Sequence, residues 1–184
     1  MNASSPEETV HGRYIYLENI DLYHEIIENG LLKAEKEVRI ATANLKDLRL
    51  RYKKKYVSIV KALLELSVRG VNIRLLHASR PSVPYLNSLK RTTLERQKSF
   101  HRIQCPRVHL KTVIIDNKWA YIGSANFTGA GLGLKGDTKR NFEIGLKVYD
   151  PVIVRNVTTF FDYIWNGEMC GECGRREACE KPIR

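Results

Sequence analysis

Apolar residues along this chain recur with spacings that predict alternating strands and helices. Short apolar runs are typical of strands and occur at 14–17, 38–43, 71–76 and 141–148. Helical spacing of apolar residues occurs at 20–37, 56–69, 84–98 and 151–165. Gly30 weakens the case for an unbroken first helix, and Gly70 is typical of a helix end. Alternating strands and helices predict an α/β protein whose sheet carries helices on both faces.

One stretch, residues 109–126, combines this pattern with candidate chemistry. Two apolar runs, 113–115 and 119–122, flank Asp116 and Asn117, which predicts two buried strands joined by a tight turn. Side chains alternate along a strand, so His109 and Lys111 should share one face.

These residue types suit a phosphate-binding site. The ammonium group of Lys111 supplies a compact positive charge, and Ser124 and Asn126 supply hydrogen-bond donors. The imidazole of His109 can serve as a nucleophile or as a general acid near neutral pH. Gly123 has no side chain, which lets the backbone approach a ligand closely.

Length and composition indicate a globular protein with one main domain. The chain has 184 residues, of which 43% are hydrophobic and 28% charged. We expect a flexible lead at 1–13, a catalytic domain at 14–167 and a cysteine-rich tail at 168–184 that packs on the domain. The polar, acidic start is unlike a secretory signal, and no apolar run is long enough to span a bilayer. This predicts a cytoplasmic protein without a stable membrane anchor and without structural disulfides.

The net charge of +11 points to a polyanionic partner, either nucleic acid or an acidic membrane surface. A basic run at 46–55 follows a predicted strand end, and more bases lie within 84–98. A run of charge can also be only a solvated surface. With the net charge in view, we favour a nucleic-acid contact. The expected substrate-binding residues are Lys53, Lys54, Lys55, Lys90 and Arg91.

Four cysteines form a further candidate site. Cys170, Cys173 and Cys179 have the spacing C-x2-C-x5-C, and Cys105 lies four residues before His109. If the last helix packs on the sheet, all four thiols can meet and hold zinc or an iron–sulfur cluster. The alternative is a set of free thiols in a reducing cell. We expect a structural metal site. The pattern resembles the iron–sulfur staple of AddB-type nucleases, which slightly favours the cluster.

The motif at 109–126 is very similar to the signature of the phospholipase D superfamily. It reads His-x-Lys, four residues, Asp, six residues, Gly-Ser-x-Asn. The resemblance extends over about residues 17–165, including Gly-Val-x-Ile-Arg at 70–74 and Asn-x-Glu at 141–143. It implies a mixed sheet in an α/β/α sandwich, and hydrolysis that uses no metal or other cofactor.

The resemblance also implies a role for each motif residue. His109 would attack phosphorus and form a phosphohistidine, while Lys111 and Asn126 would hold the non-bridging oxygens. Ser124 would support them, and Glu143 would orient the nucleophilic histidine. Asp116 belongs to the motif, but its place in a turn indicates a structural role.

The superfamily's long chains carry two such motifs, whereas this chain carries one and resembles the small single-motif members. Those include bacterial endonucleases and the mitochondrial Zucchini-type proteins. A second histidine must then come from a partner, and a twofold homodimer is the economical solution. We expect an endonuclease acting on DNA or RNA. The alternatives are a phospholipid phosphodiesterase or phosphatidyl transferase, and a catalytically silent nucleic-acid-binding module, against which the complete motif argues.

Overall fold

The computed structural model describes residues 13–179, which contain nine strands and three α-helices. The strands are β1 Tyr14–Glu18, β2 Glu37–Thr42, β3 Arg49–Tyr52, β4 Lys55–Ser58, β5 Asn72–His77, β6 Phe100–Gln104, β7 Thr112–Ile115, β8 Trp119–Gly123 and β9 Ile144–Val148. The helices are α1 Ile59–Val68, α2 Val83–Lys90 and α3 Pro151–Trp165. Most of the predicted lead at 1–13 lies outside the described residues.

Seven of these strands form a mixed sheet in the order β1-β9-β8-β7-β2-β5-β6. Strands β2, β5 and β6 run parallel, while β7, β8, β9 and β1 pair antiparallel. Strands β3 and β4 form a separate hairpin. The predicted α/β class with a mixed sheet is confirmed.

Side-chain alternation divides the core into two layers. On one face, Val38 and Ile40 of β2 pack in a large cluster that includes apolar residues of α1 and α2. On the other face, Ala41 of β2 packs with Val154 and Phe161 of α3. Strands β2, β5, β7 and β8 have buried residues on both faces, which is why they read as nearly continuous apolar runs.

The predicted helix at 20–37 is wrong, because the segment breaks at Gly30. A six-residue π-helix covers Tyr23–Glu28, and a short 3-10 turn covers Leu31–Lys33. A Cβ atom on Gly30 would collide with the Ile26 carbonyl oxygen and with the Trp119 ring. The indole of β8 therefore occupies the position that a side chain would need, so packing with a distant strand overrides the helical spacing.

The predicted helix at 84–98 is also too long. Helix α2 ends at Lys90, a 3-10 turn covers Leu94–Arg96, and Phe100–Gln104 is the edge strand β6. Helix α1 likewise begins at Ile59 rather than at residue 56, because Ser58 caps it by accepting a hydrogen bond from the Val60 N–H at 3.1 Å.

Helix α3 is positioned by its N-cap and by a network of charges. Asp150 accepts hydrogen bonds from the N–H groups of Val152 and Ile153, both at 2.9 Å, as an N-cap residue does. Further along, Asp162 contacts Arg39 of β2 at 3.2 Å and Arg74 of β5 at 2.9 Å. These ion pairs bind the helix to the sheet.

Candidate active site

The motif residues other than Asp116 collect at one end of the sheet. Strands β2, β5 and β8 finish at this end, and the segment carrying His109 and Lys111 enters β7 there. The backbone joins the pieces, since the Gly123 N–H donates to the Lys111 carbonyl oxygen at 3.3 Å. The sequence therefore correctly placed the two halves of the motif on neighbouring strands.

His109 and Lys111 are in direct contact. The Lys111 ammonium donates to the His109 carbonyl oxygen at 2.9 Å and lies 3.2 Å from Nε2 and 3.3 Å from Nδ1. A ring nitrogen accepts from an ammonium group only when it carries no proton. His109 is exposed and Lys111 half-buried, so the nucleophile candidate is open to a ligand while the cation is held.

Ser124 and Glu143 form the second contact of the site. The Ser124 hydroxyl donates to the Glu143 carboxylate, which also accepts from the Asn141 amide at 2.9 Å. Glu143 is only 8% exposed. Among residues 13–179, the hydrogen-bond partners of its side chain are Ser124 and Asn141, not His109. The carboxylate thus fixes the Gly-Ser loop against the start of β9, and its expected role in orienting His109 stays a prediction.

Asn126 is held by its amide oxygen. That oxygen accepts from the Asn44 backbone N–H at 3.0 Å and from the Thr42 hydroxyl at 3.3 Å. The Thr42 hydroxyl in turn accepts from the Phe127 N–H at 2.9 Å. Within the described chain, the amide nitrogen of Asn126 donates to no protein group, so both of its N–H donors remain for a ligand.

Tyr121 supports the site but carries no motif signal. Its phenolic oxygen accepts a hydrogen bond from the Ala125 N–H at 3.1 Å, beneath the loop that holds Ser124. Burial raises its pKa to about 12, so the phenol stays neutral. A Cβ atom on Gly123 or Gly145 would overlap the phenol ring. The two glycines therefore make room for Tyr121, a reason that sequence alone did not give.

Asp116 lies at the opposite end of β7 from the site. Its carboxylate accepts hydrogen bonds from the backbone N–H groups of Glu35, Lys36 and Glu37 at 3.0, 2.8 and 2.8 Å. Burial raises the pKa of this carboxyl, but the three hydrogen bonds outweigh it and the pKa lies below its ordinary value. Asp116 and Asn117 both have φ of 54°, as a tight turn with left-handed residues requires. The geometry agrees with a structural role.

The predicted substrate-binding lysines lie on the β3–β4 hairpin. Lys53 and Lys54 form its two-residue turn with φ of 49° and 64°, and Lys55 begins β4. Lys53 is paired with Glu65 of α1 at 2.7 Å. The segment leading into the hairpin contacts the loop after Asn126 through backbone groups of residues 46 and 127, 3.4 Å apart.

The two other predicted substrate-binding residues lie at the end of α2. Lys90 and Arg91 are both exposed. Arg91 lines a groove together with Tyr56 of β4 and Lys61 of α1. Helix α2 thus brings Arg91 next to the hairpin, so that both basic segments belong to one surface.

The cysteines gather at one corner but do not form the expected metal site. Cys105, Cys170 and Cys173 line one apolar cavity of about 280 Å³, and the Cys179 thiol donates to the Gln104 carbonyl oxygen at 3.9 Å. Among residues 13–179, no three His, Cys, Asp or Glu side chains are arranged to hold a metal ion. The structure therefore does not support the predicted iron–sulfur or zinc site.

Two of the thiols, those of Cys173 and Cys179, contact protein groups. The Arg175 backbone N–H hydrogen bonds to the Cys173 sulfur and, with the Arg107 guanidinium, lowers the pKa of this thiol below its ordinary 9.0 against a smaller opposing effect of burial. All four cysteines are free thiols in the described chain.

Within residues 13–179, no helix is long and apolar enough to cross a membrane.

Comparison with known proteins agrees with this fold. A family model described as "Cardiolipin synthase, PLD-like domain" matches residues 27–165. Nuc from Salmonella typhimurium, a phospholipase D family member, has a similar structure with a TM-score of 0.60 and 16% identity. That match covers 84% of this chain and 95% of Nuc. No curated protein matches the sequence.

Two further solved structures share the fold at similar identity. NucT from Helicobacter pylori has a TM-score of 0.57 and 15% identity, and the match covers 82% of this chain and 93% of NucT. The archaeal chromatin protein TrmBL2, whose structure shows DNA binding, has a TM-score of 0.55 and 16% identity. That match covers 86% of this chain and 54% of TrmBL2.

Proposed function

Because the chain belongs to the phospholipase D-like domain family whose model matches residues 27–165, we propose that it is a phosphodiesterase that cleaves nucleic acid through a phosphohistidine intermediate. The observation that carries this proposal is the contact between His109 and Lys111 at the end of the sheet that also holds Ser124 and Asn126. The net charge of +11 favours a polyanionic substrate. TrmBL2, which shares the fold, has a structure that shows DNA binding and so supports the same substrate class.

The proposed reaction has two displacements at phosphorus. In the first, a ring nitrogen of His109 attacks, so that an N–P bond forms and the bond to the leaving oxygen breaks. The leaving oxygen takes a proton from His109 of the partner subunit. In the second, water attacks phosphorus, the N–P bond breaks, and the partner subunit's His109 takes the water proton.

The other site residues act on the charge of the transition state. Lys111 and the free N–H donors of Asn126 bind the non-bridging oxygens as negative charge develops on them. Ser124, fixed by Glu143, holds the loop that carries Asn126. These steps need only protein groups and water, so we expect activity in the presence of EDTA.

An exposed apolar surface beside the site supports the proposed homodimer. Ile122 of β8, Leu146 of β9 and Tyr16 of β1 are direct cross-strand neighbours. They lie on the same face of the sheet as α3, in the part that the helix does not cover. They are 40%, 39% and 48% exposed, and Ile144 on the same face is 55% exposed. We call these four residues the sheet patch. A surface of this kind next to half of a site suits a second copy of the chain.

Helix α3 extends the same surface. Ile153 and Phe160 belong to the apolar spacing at 151–165, yet they are 43% and 53% exposed, and only Val154 and Phe161 of this helix are buried. Phe160 lines a pocket together with His109, Lys111 and Ile122. Exposed apolar side chains of α3 and β8 therefore lie next to the motif residues.

A phospholipid substrate is the second candidate. The description of the matched family model names cardiolipin synthase, an enzyme of phospholipids. The pocket next to Lys111 also has mainly apolar walls, including Leu110, Val157 and Phe160. An acyl chain would suit such walls. The same residues would then carry out the same two displacements on a lipid phosphodiester.

Direct assay separates these candidates. Purified protein is incubated with labelled single-stranded DNA, double-stranded DNA, RNA and vesicles of anionic phospholipid, each with EDTA and in parallel with His109→Ala. We expect the wild type to cleave nucleic acid and the variant to be inactive. Cleavage of lipid alone would establish the second candidate, and binding of nucleic acid without any cleavage would leave a silent binding module.

A further inference from the structure

The chain beyond α3 folds back onto the segment that leads to His109. Arg175 donates to the Pro106 carbonyl oxygen at 3.2 Å, and the Cys179 thiol donates to the Gln104 carbonyl oxygen at 3.9 Å. We call residues 166–179 the C-terminal loop. It is held together internally, because Arg176 donates a hydrogen bond to the Cys170 carbonyl oxygen at 2.7 Å. Residues 166–179 therefore form part of the surface around the motif.

Between this loop and the sheet lies a cleft of about 600 Å³ that His109 lines on one side. Its floor includes Asn44 and Ser79, which follow the ends of β2 and β5, and its wall includes Arg107 and Arg175. His109 also lines the pocket that contains Lys111. His109 thus borders two spaces, the pocket that contains Lys111 and this cleft.

The two guanidinium groups beside the cleft contact neutral protein groups but no carboxylate: Arg175 donates to the Pro106 carbonyl oxygen, and Arg107 contacts the Cys173 thiol. Neither Arg107 nor Arg175 forms an ion pair with a carboxylate in residues 13–179, whereas Arg102 and Arg140 pair with acids at 3.1 and 3.2 Å. The Asn44 amide oxygen already accepts from the Ser79 hydroxyl at 3.0 Å. In the described chain the Asn44 amide nitrogen donates to no protein group, so it remains available to a ligand.

Two guanidinium groups without a carboxylate partner, together with an amide, favour an anion with several oxygens, and phosphate is an anion whose geometry suits arginine well. We propose that this cleft binds the phosphate that neighbours the scissile one along a polynucleotide strand, with Arg175 supplied by the C-terminal loop. This inference rests on the proposed function and deepens it, because every polynucleotide carries a phosphate next to the scissile one.

Two substrates test the inference. Bis(p-nitrophenyl) phosphate has a single phosphodiester and no neighbouring phosphate, while an oligonucleotide has both. We expect Arg175→Ala and Arg107→Ala each to lower kcat/KM on the oligonucleotide by roughly 10-fold more than on the small ester, as loss of one charged hydrogen bond would. Arg175→Lys should recover part of the loss because it restores the charge.

The matched control is Arg69→Ala. Arg69 is exposed and precedes β5, so it lies at the opposite end of the sheet from the site and outside both basic segments. This variant should leave both rates unchanged. Thermal unfolding of every variant shows whether the C-terminal loop still holds the fold. Equal losses on both substrates in Arg175→Ala would mean that the residue only positions Pro106 and would overturn the inference.

A binding measurement keeps the inference separate from the proposed function. Oligonucleotides carrying one neutral methylphosphonate beside a central phosphate are bound to His109→Ala protein, and affinity is measured by fluorescence anisotropy. We expect the neutral linkage to weaken binding to protein that has Arg175 and to have little further effect in the Arg175→Ala background. Equal effects in both backgrounds would overturn the subsite. Failure of wild type to cleave any phosphodiester would overturn only the proposed function.

Discussion

The Lys111 ammonium group lies 2.9 Å from the His109 carbonyl oxygen and 3.2 Å from its Nε2 atom. The two residues are two positions apart in the chain, and their side chains meet at the end of the sheet where the site lies. The contact keeps a positive charge beside the imidazole, where a phosphate oxygen would be placed during attack. Four predictions follow from this site and its surroundings.

His109→Ala should abolish phosphodiester cleavage while the protein stays folded, because the exposed imidazole packs in no core. Asn126→Ala should lower kcat by roughly 10²- to 10³-fold, the usual cost of one lost donor to a developing oxyanion. Steady-state rates on an oligonucleotide, together with circular dichroism, check both. His101→Ala is the matched control, since His101 is an exposed histidine of β6. A folded His109→Ala protein with near wild-type turnover would show that another group is the nucleophile.

The sheet patch should form the interface between two copies of the chain. Leu146→Glu places a charge at its centre and should convert the dimer to a monomer, with loss of activity because each site then lacks its second histidine. Sedimentation velocity and turnover are measured on the same sample. Val68→Glu, at an exposed apolar position of α1, is the control and should stay dimeric. An active wild-type protein that sediments only as a monomer would contradict the dimer.

Asp116→Asn should lower stability rather than catalysis. The change removes a charge that accepts three backbone N–H groups, and we expect a loss of roughly 2 kcal/mol in the free energy of unfolding at neutral pH. The folded pKa of Asp116 lies below its ordinary 3.8. The stabilisation is therefore fully present above pH 3.8 and is lost as the pH falls through the lower, folded pKa.

Urea unfolding of wild type and Asp116→Asn between neutral and strongly acidic pH checks this dependence. The difference in stability should shrink on acidification. We also expect kcat of the folded variant to fall far less than that of His109→Ala. A difference in stability that stays constant down to the lowest pH would show that the carboxylate charge is irrelevant.

Neutralising Lys53, Lys54 and Lys55 together should weaken binding to nucleic acid and flatten its salt dependence, because fewer counterions are released. Lys53 is already paired with Glu65 at 2.7 Å, so Lys54→Ala and Lys55→Ala should each cost more than Lys53→Ala. Fluorescence anisotropy over a range of salt concentrations gives the slope. If the slope is the same in the triple variant, the hairpin is only a solvated surface.

Local signals in the sequence were sufficient where neighbours in the chain decide the structure. The turn at Asp116 and Asn117, the Asp150 cap and the strands on either side of the motif depend on residues a few positions apart. The contact between His109 and Lys111 followed from their spacing in the chain in the same way.

Other features depend on contacts between distant segments. The break at Gly30 comes from the Trp119 ring, the edge strand β6 forms because β5 offers a free edge, and Ser124 rather than His109 is the partner that packing gives to Glu143. Cys105, Cys170 and Cys173 line one cavity, but within residues 13–179 no three potential ligands are arranged to hold a metal ion, which the spacing of the cysteines did not reveal.

The sequence by itself determined the α/β class, the order of the motif strands and the residues that could carry phosphodiester chemistry, because periodicity and residue type act locally. Only the tertiary structure decided which apolar side chains of α3 stay exposed and that Arg175 of the C-terminal loop reaches the cleft beside His109. Both depend on how segments far apart in the chain pack together. Neither the spacing of apolar residues nor the composition specifies that packing.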